Sequence, residues 1–170
     1  MNKSNIVLIG MPGCGKSTIA KLLAKELGMK HIDGDAIMEE YEGMKLQKII
    51  DTKGYDYVAN LEGTVLKELK VENHVISPGG SCVYYEDGMQ NLSDIGHVVY
   101  LKVDWSVLKY RCSNVEGRGI LFKPGETLKD LYDYRTPMYE RWGEIVIDSS
   151  MKTPLGTMDA IIAALDLKKK

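Results

Sequence analysis

Cysteine is scarce in this chain. Its three residues, Cys14, Cys82 and Cys112, are odd in number and share no paired ligand spacing, so neither a disulfide framework nor a zinc site is expected. An excess of one charge is missing as well: 22 Lys and Arg stand against 24 Asp and Glu, a net charge of -2. That balance excludes the broad basic footprint of a nucleic-acid-binding domain and favours a small ligand. Three lysines, Lys168, Lys169 and Lys170, end the sequence, where they read as a solvated terminus compatible with a helix dipole. No apolar run approaches the roughly 20 residues of a membrane span, and the first, at residues 6–9, is too short for the core of a signal peptide. Internal repeats and low-complexity tracts are lacking too. A monomeric, cytoplasmic protein with no membrane or nucleic-acid partner is the expectation.

What is there is ordinary globular material: 170 residues, 44% hydrophobic and 27% charged, consistent with one domain over residues 1–170 built on a single core. Apolar segments at residues 6–9, 31–32, 75–76, 98–103 and 145–147 read as buried strands. Helical spacing separates them. Ile19, Leu22, Leu23 and Leu27 lie on one face with Gly28 as a stop; Leu46, Ile49 and Ile50 precede a break at Gly54, and Val58, Leu61, Val65, Leu66 and Leu69 follow it. Asp104 is placed as the cap of a helix over residues 105–112, Thr127 as the start of another, and Pro154 as the opening of the last. Strands alternating with helices imply a parallel sheet covered on both faces, with ligands at the carboxyl ends of its strands. Residues 115–126, with three glycines and Arg118, carry no clear periodicity and form a candidate lid.

The run Gly10-Met11-Pro12-Gly13-Cys14-Gly15-Lys16-Ser17 fits G-x-x-x-x-G-K-[ST] between a predicted strand and a predicted helix, the context in which this motif binds a nucleoside triphosphate. Phosphates must be approached by bare backbone, and glycine allows both the approach and the positive φ angles that aim N–H groups inward. The helix dipole faces the anion, Lys16 reaches the outer phosphates, the Ser17 hydroxyl can ligate Mg2+, and Thr18 adds a hydroxyl nearby. ATP and Mg2+ are therefore the expected cofactors, held by Gly13, Cys14, Gly15, Lys16, Ser17 and Thr18. Cys14 is read as filling an unspecified motif position rather than as a redox switch.

The guanine-reading N-K-x-D sequence is absent, and the small size and candidate lid favour a metabolite kinase. Asp33 and Asp35 form a D-x-D pair after the second strand; one can hold Mg2+ and the other orient or deprotonate an acceptor hydroxyl. An Asx turn and helix cap before Ala36 is the structural alternative. Gly79 and Gly80 follow the third strand, where bare backbone lets a ligand lie close. The three histidines show no ligand spacing and receive no catalytic role.

Together these residues resemble the shikimate kinase family, over nearly the whole chain from Ile6 to about Pro154. The resemblance implies a three-layer α/β P-loop fold with a five-stranded parallel sheet, like that of nucleoside-monophosphate kinases, with a lid loop. It also implies conversion of ATP and shikimate to ADP and shikimate 3-phosphate, a step of aromatic amino acid biosynthesis. On this reading Asp33 supports the metal and Asp35 contacts the acceptor hydroxyls. Lys16, Asp35 and Arg118 form the catalytic set, Arg111 and Pro154 flank adenine, and Gly79, Gly80 and Arg135 bind the acceptor with Asp35. Without the resemblance, Arg111 and Arg135 read equally well as surface ion-pair residues. The chain departs from the family where G-E-x-x-F-R-x-x-E becomes residues 54–62, with Ala59 in the arginine's place and Glu62 retained; Ser81 replaces the last glycine of a triplet. Lys53 and Arg141 are candidate replacement cations. A sister kinase for another hydroxylated metabolite, and a non-catalytic nucleotide-binding relative, are the competing readings.

Overall fold

All five residues of β1 (Asn5–Ile9) are buried, as a strand covered on both faces requires. The computed structural model describes residues 3–112 and 127–168. After β1 come α1 (Lys16–Leu27), β2 (Lys30–Asp33), α2 (Gly34–Glu42), α3 (Leu46–Lys53), α4 (Tyr55–Glu68) and β3 (His74–Ser77). A 3₁₀ turn (Cys82–Tyr84) then leads to α5 (Glu86–Ile95), β4 (Gly96–Lys102), α6 (Trp105–Cys112), α7 (Leu128–Trp142), β5 (Ile145–Asp148) and α8 (Pro154–Ala164). The candidate lid and Arg118 lie outside the described residues.

The five strands form one parallel sheet in the order β2-β3-β1-β4-β5. Val7, Leu8, Ile9, Val75, Ile76 and Leu101 are fully buried at its centre. Helices α1 and α8 pack together on one face, while α5, itself packed on α4, contacts β1 and β4. The chain leaves β1 toward one edge of the sheet and β4 toward the other, so the switch point lies between these neighbours, and the crevice at their carboxyl ends is the favoured ligand position.

All five expected strands are present, and Gly54 breaks α3 from α4 as expected, at a φ of 84°. Thr127 caps α7 in a reciprocal box with Asp130, and Thr153 caps α8 with Pro154 in its first turn. At Asp104 the carbonyl accepts the Leu108 N–H and the backbone N–H donates to the Ser150 hydroxyl. Helix α5 has no counterpart in the sequence-based expectation, and α2 appears there only as the helix cap before Ala36. The signal for α5 is present but short: Glu86 and Asp87 open it, and Met89 and Leu92 are buried three residues apart.

Candidate active site

The loop after β1 turns at the switch point, because Gly10 lies where a Cβ would come within 2.8 Å of the Leu101 carbonyl oxygen of β4. Gly13 and Gly15 hold φ values of 81° and 99°, which other residues adopt only with strain. Unlike α7 and α8, α1 has no side-chain cap at its N-terminus, where Gly15 stands, and unlike α7 it has no acidic residue in its first turn. Its positive end is left uncompensated, as an anion site requires. The Lys16 ammonium folds back over the loop, donating to the carbonyls of Gly10 at 2.7 Å and Met11 at 3.0 Å. Ser17 and Thr18 are exposed at the helix start, and Cys14 is buried within the core, in keeping with a packing position.

Beside this loop is a cleft of about 260 Å³ lined by Gly13, Gly15, Thr18, Arg111 and Pro154. Residues from three separate segments are thus brought to one wall. Arg111 is fixed there by donating from Nη2 to the carbonyls of Ser149 at 3.2 Å and Ser150 at 3.4 Å. Lys152 and Thr157 also line the cleft and were not singled out by sequence; their one signal is proximity to Pro154.

On the far side of the loop, Asp33 accepts the Ala36 N–H on Oδ1 at 2.9 Å and so caps α2. The cap engages one oxygen, and a carboxylate retains further acceptor capacity. Among the described residues no group of three or more His, Cys, Asp or Glu could hold a metal by itself. A divalent ion held together with phosphates uses one or two protein oxygens besides phosphate and water, and the Ser17 hydroxyl and the second Asp33 oxygen are donors of that hard kind. Asp35 is exposed as a residue, yet partial desolvation and the charges of Asp33 and Glu39 raise its carboxyl above the ordinary range.

Close packing joins these parts. A Cβ on Gly34 would lie 2.8 Å from the Gly79 nitrogen, and one on Gly79 would lie 2.5 Å from Glu62 Oε1. A Cβ on Gly80 would meet Pro12 Cδ at 3.0 Å and Arg135 Nη1 at 3.1 Å. The turn after β3 therefore sits between the phosphate loop and Arg135. We expect Gly79→Ala to lower thermal stability by about 1–3 kcal/mol and to raise the acceptor KM, read by unfolding and by steady-state kinetics; unchanged values would contradict this packing.

Glu62 is buried, and burial raises its carboxyl despite the Ser81 bond and the charge of Arg135. The partner that sequence left unassigned is Ser81, whose hydroxyl donates to Glu62 Oε2 at 2.5 Å, with Tyr85 as a second contact. Arg135 is buried, and its Nε donates to Tyr84 Oη at 2.6 Å. Burial opposes its charge, but Tyr139 and Tyr84 outweigh that and raise its pKa. Neither Arg111 nor Arg135 makes a salt bridge among the described residues. The candidate replacement cations are engaged elsewhere: Lys53 with Glu42 at 2.5 Å and with Tyr57, Arg141 with Glu86.

The family model for shikimate kinase matches residues 12–166. A shikimate kinase of Sulfurihydrogenibium sp. is 35% identical over 162 residues, covering 95% of this chain and 97% of its own. The shikimate kinase structure from Aquifex aeolicus superposes with a TM-score of 0.79 at 31% identity, over 95% of this chain and 96% of that one. The Acinetobacter baumannii shikimate kinase in complex with shikimate gives 0.81 at 26% identity, over 96% and 93%.

Proposed function

The chain belongs to the shikimate kinase family, and from that membership we infer that it is an ATP-dependent shikimate kinase, moving the γ-phosphoryl group of ATP to a ring hydroxyl of shikimate. The observation that carries the acceptor assignment is Arg135. A buried guanidinium with phenol partners and, among the described residues, no ion-paired carboxylate is costly, and an anionic acceptor seated against the turn at Gly80 would complete its charge. The same turn touches Pro12 of the phosphate loop, so an acid held by Arg135 has its hydroxyls beside the triphosphate.

In this reading the backbone of residues 13–18 cradles the phosphates, Lys16 neutralises charge on the outer ones, and Arg111 and Pro154 flank adenine across the cleft. Ser17 and Asp33 would hold Mg2+ with ATP, where the metal spreads charge off the phosphate oxygens. Asp35 orients the acceptor hydroxyl and takes its proton as the new oxygen–phosphorus bond forms and the bond to ADP breaks. Arg118, in the lid at residues 115–126, is assigned to the transferred phosphoryl, and closure would exclude water from it. The reading takes the protein as one monomeric domain working in the cytoplasm, with no nucleic-acid or membrane partner. Among the described residues, no helix is long and apolar enough to cross a membrane.

Coupled measurement of ADP release with shikimate, against a panel of polyols and hydroxy acids, tests the assignment. Shikimate is expected to give the highest kcat/KM; turnover only with another acceptor points to a sister kinase, and none at all to a binding protein. The family arginine replaced by Ala59 supplies a separate check. Ala59 is exposed one turn before Glu62 on α4, so an arginine there can reach this carboxylate. Ala59→Arg should lower the shikimate KM by about tenfold or more, and a value unchanged or higher would count against loss of a binding cation at that position.

A further inference from the structure

Arg135 is held in an unusual way for a buried cation, at 6% exposure. Its Nε is taken by the Tyr84 hydroxyl at 2.6 Å, and its Cζ lies 4.9 Å from the centre of the Tyr84 ring. The Tyr134 ring is 6.0 Å from that of Tyr84. On the opposite side Tyr139 donates to the Gly80 carbonyl at 2.6 Å, and Arg135 Nη1 packs over Gly80 itself. Glu62 is near enough to feel the guanidinium charge, yet no carboxylate lies within ion-pairing distance of it among the described residues.

A phenol in this place does what a carboxylate cannot. It accepts from Nε and fixes the plane of the fork, but it leaves the positive charge unneutralised. The Tyr139 hydroxyl also bonds the guanidinium, and the terminal nitrogens carry four N–H donors between them, enough to hold a carboxylate as well. The ring beneath adds cation–π attraction and limits rotation of the guanidinium. Tyr84 is itself 41% exposed, beside the turn at Gly80.

We propose that Tyr84 is a positioning and specificity-determining residue for the acceptor: it orients Arg135 so that the site selects a hydroxylated ring bearing a carboxylate over its uncharged counterpart. This rests on the assignment of Arg135 to the acceptor acid. Tyr84 touches neither the reacting atoms nor the nucleotide cleft, so its effect belongs to acceptor KM and selectivity, with kcat and the KM for ATP left near their original values.

The test compares shikimate with its methyl ester, which keeps the ring hydroxyls and lacks the charge, in wild type, Tyr84→Phe and Tyr84→Glu. Tyr84→Phe should raise the shikimate KM about ten- to hundredfold while changing the ester's kinetics little, so the preference for acid over ester shrinks by that factor. Tyr84→Glu, which sets a carboxylate against the guanidinium, should abolish the preference. Equal losses for acid and ester, or a preserved preference in either folded variant, would overturn the proposal while leaving shikimate phosphorylation standing. A wild-type protein that neither turns over nor binds shikimate would remove the acceptor assignment, and this inference with it.

Discussion

Replacing Lys16 with alanine is expected to reduce phosphoryl transfer by about 10²–10³-fold or more, the scale seen when one charge-stabilising donor is removed from a transition state. The ammonium sits over the loop on the carbonyls of Gly10 and Met11. It is poised where an incoming triphosphate can draw it away from neutral oxygens to charged ones, which bind it more strongly. Because those carbonyl bonds also brace the loop, unfolding temperature and ADP affinity should be measured on the same variant. A folded Lys16→Ala protein with near-normal turnover would refute the placement of the phosphates on this loop.

Asp35→Asn should lower kcat by about 10²–10⁴-fold, the range of general acid–base contributions, with ATP binding largely retained. Loss of ATP binding instead would move Asp35 to the metal site. The raised carboxyl of Asp35 gives two further signs. Desolvation and its acidic neighbours disfavour the anion, so activity that needs the carboxylate should fall as pH drops through a value above the ordinary aspartate range, and the asparagine variant should lose that limb of the profile. For stability the sign is opposite. The charged form is penalised in the folded state as pH rises from the unfolded value through the raised one, so Asp35→Asn should melt higher than wild type at neutral pH. The difference should vanish below a pH of about 4. A variant that melts lower at neutral pH would contradict this environment for Asp35.

The parts of the site that sequence made legible are local in the chain. A phosphate loop is contiguous, its glycines are demanded by its own backbone angles, and the flanking apolar periods announce the strand before it and the helix after it. Arg111 and Pro154 could be named in advance by resemblance alone; no local pattern brings them to one cleft. The reading of Asp33 as metal support or helix cap posed alternatives that need not compete: the cap uses one oxygen of the side chain, and the metal assignment needs another.

What sequence did not show depends on pairs far apart in the chain. Ser81 and Glu62 are 19 positions apart, and Tyr84 and Arg135 are 51 apart; each partner alone is an ordinary polar residue. The missing arginine at position 59 suggested a replacement cation, and Lys53 and Arg141 had the right charge. Both instead pair with other carboxylates, Glu42 and Glu86, while Glu62 is satisfied by a hydroxyl. Helix α5 escaped for a related reason, since its burial is supplied from outside: Gly88 lies against Leu66 of α4, where a Cβ would come within 3.0 Å of the Leu66 Cβ.

The account as a whole is tested most directly by incubating the purified protein with ATP, Mg2+ and shikimate, while ADP release is followed alongside phosphorus NMR of the acid. ADP should appear only when shikimate is present, one equivalent for each new phosphate ester. ADP release indifferent to the acid, or no ester formed at all, would contradict it.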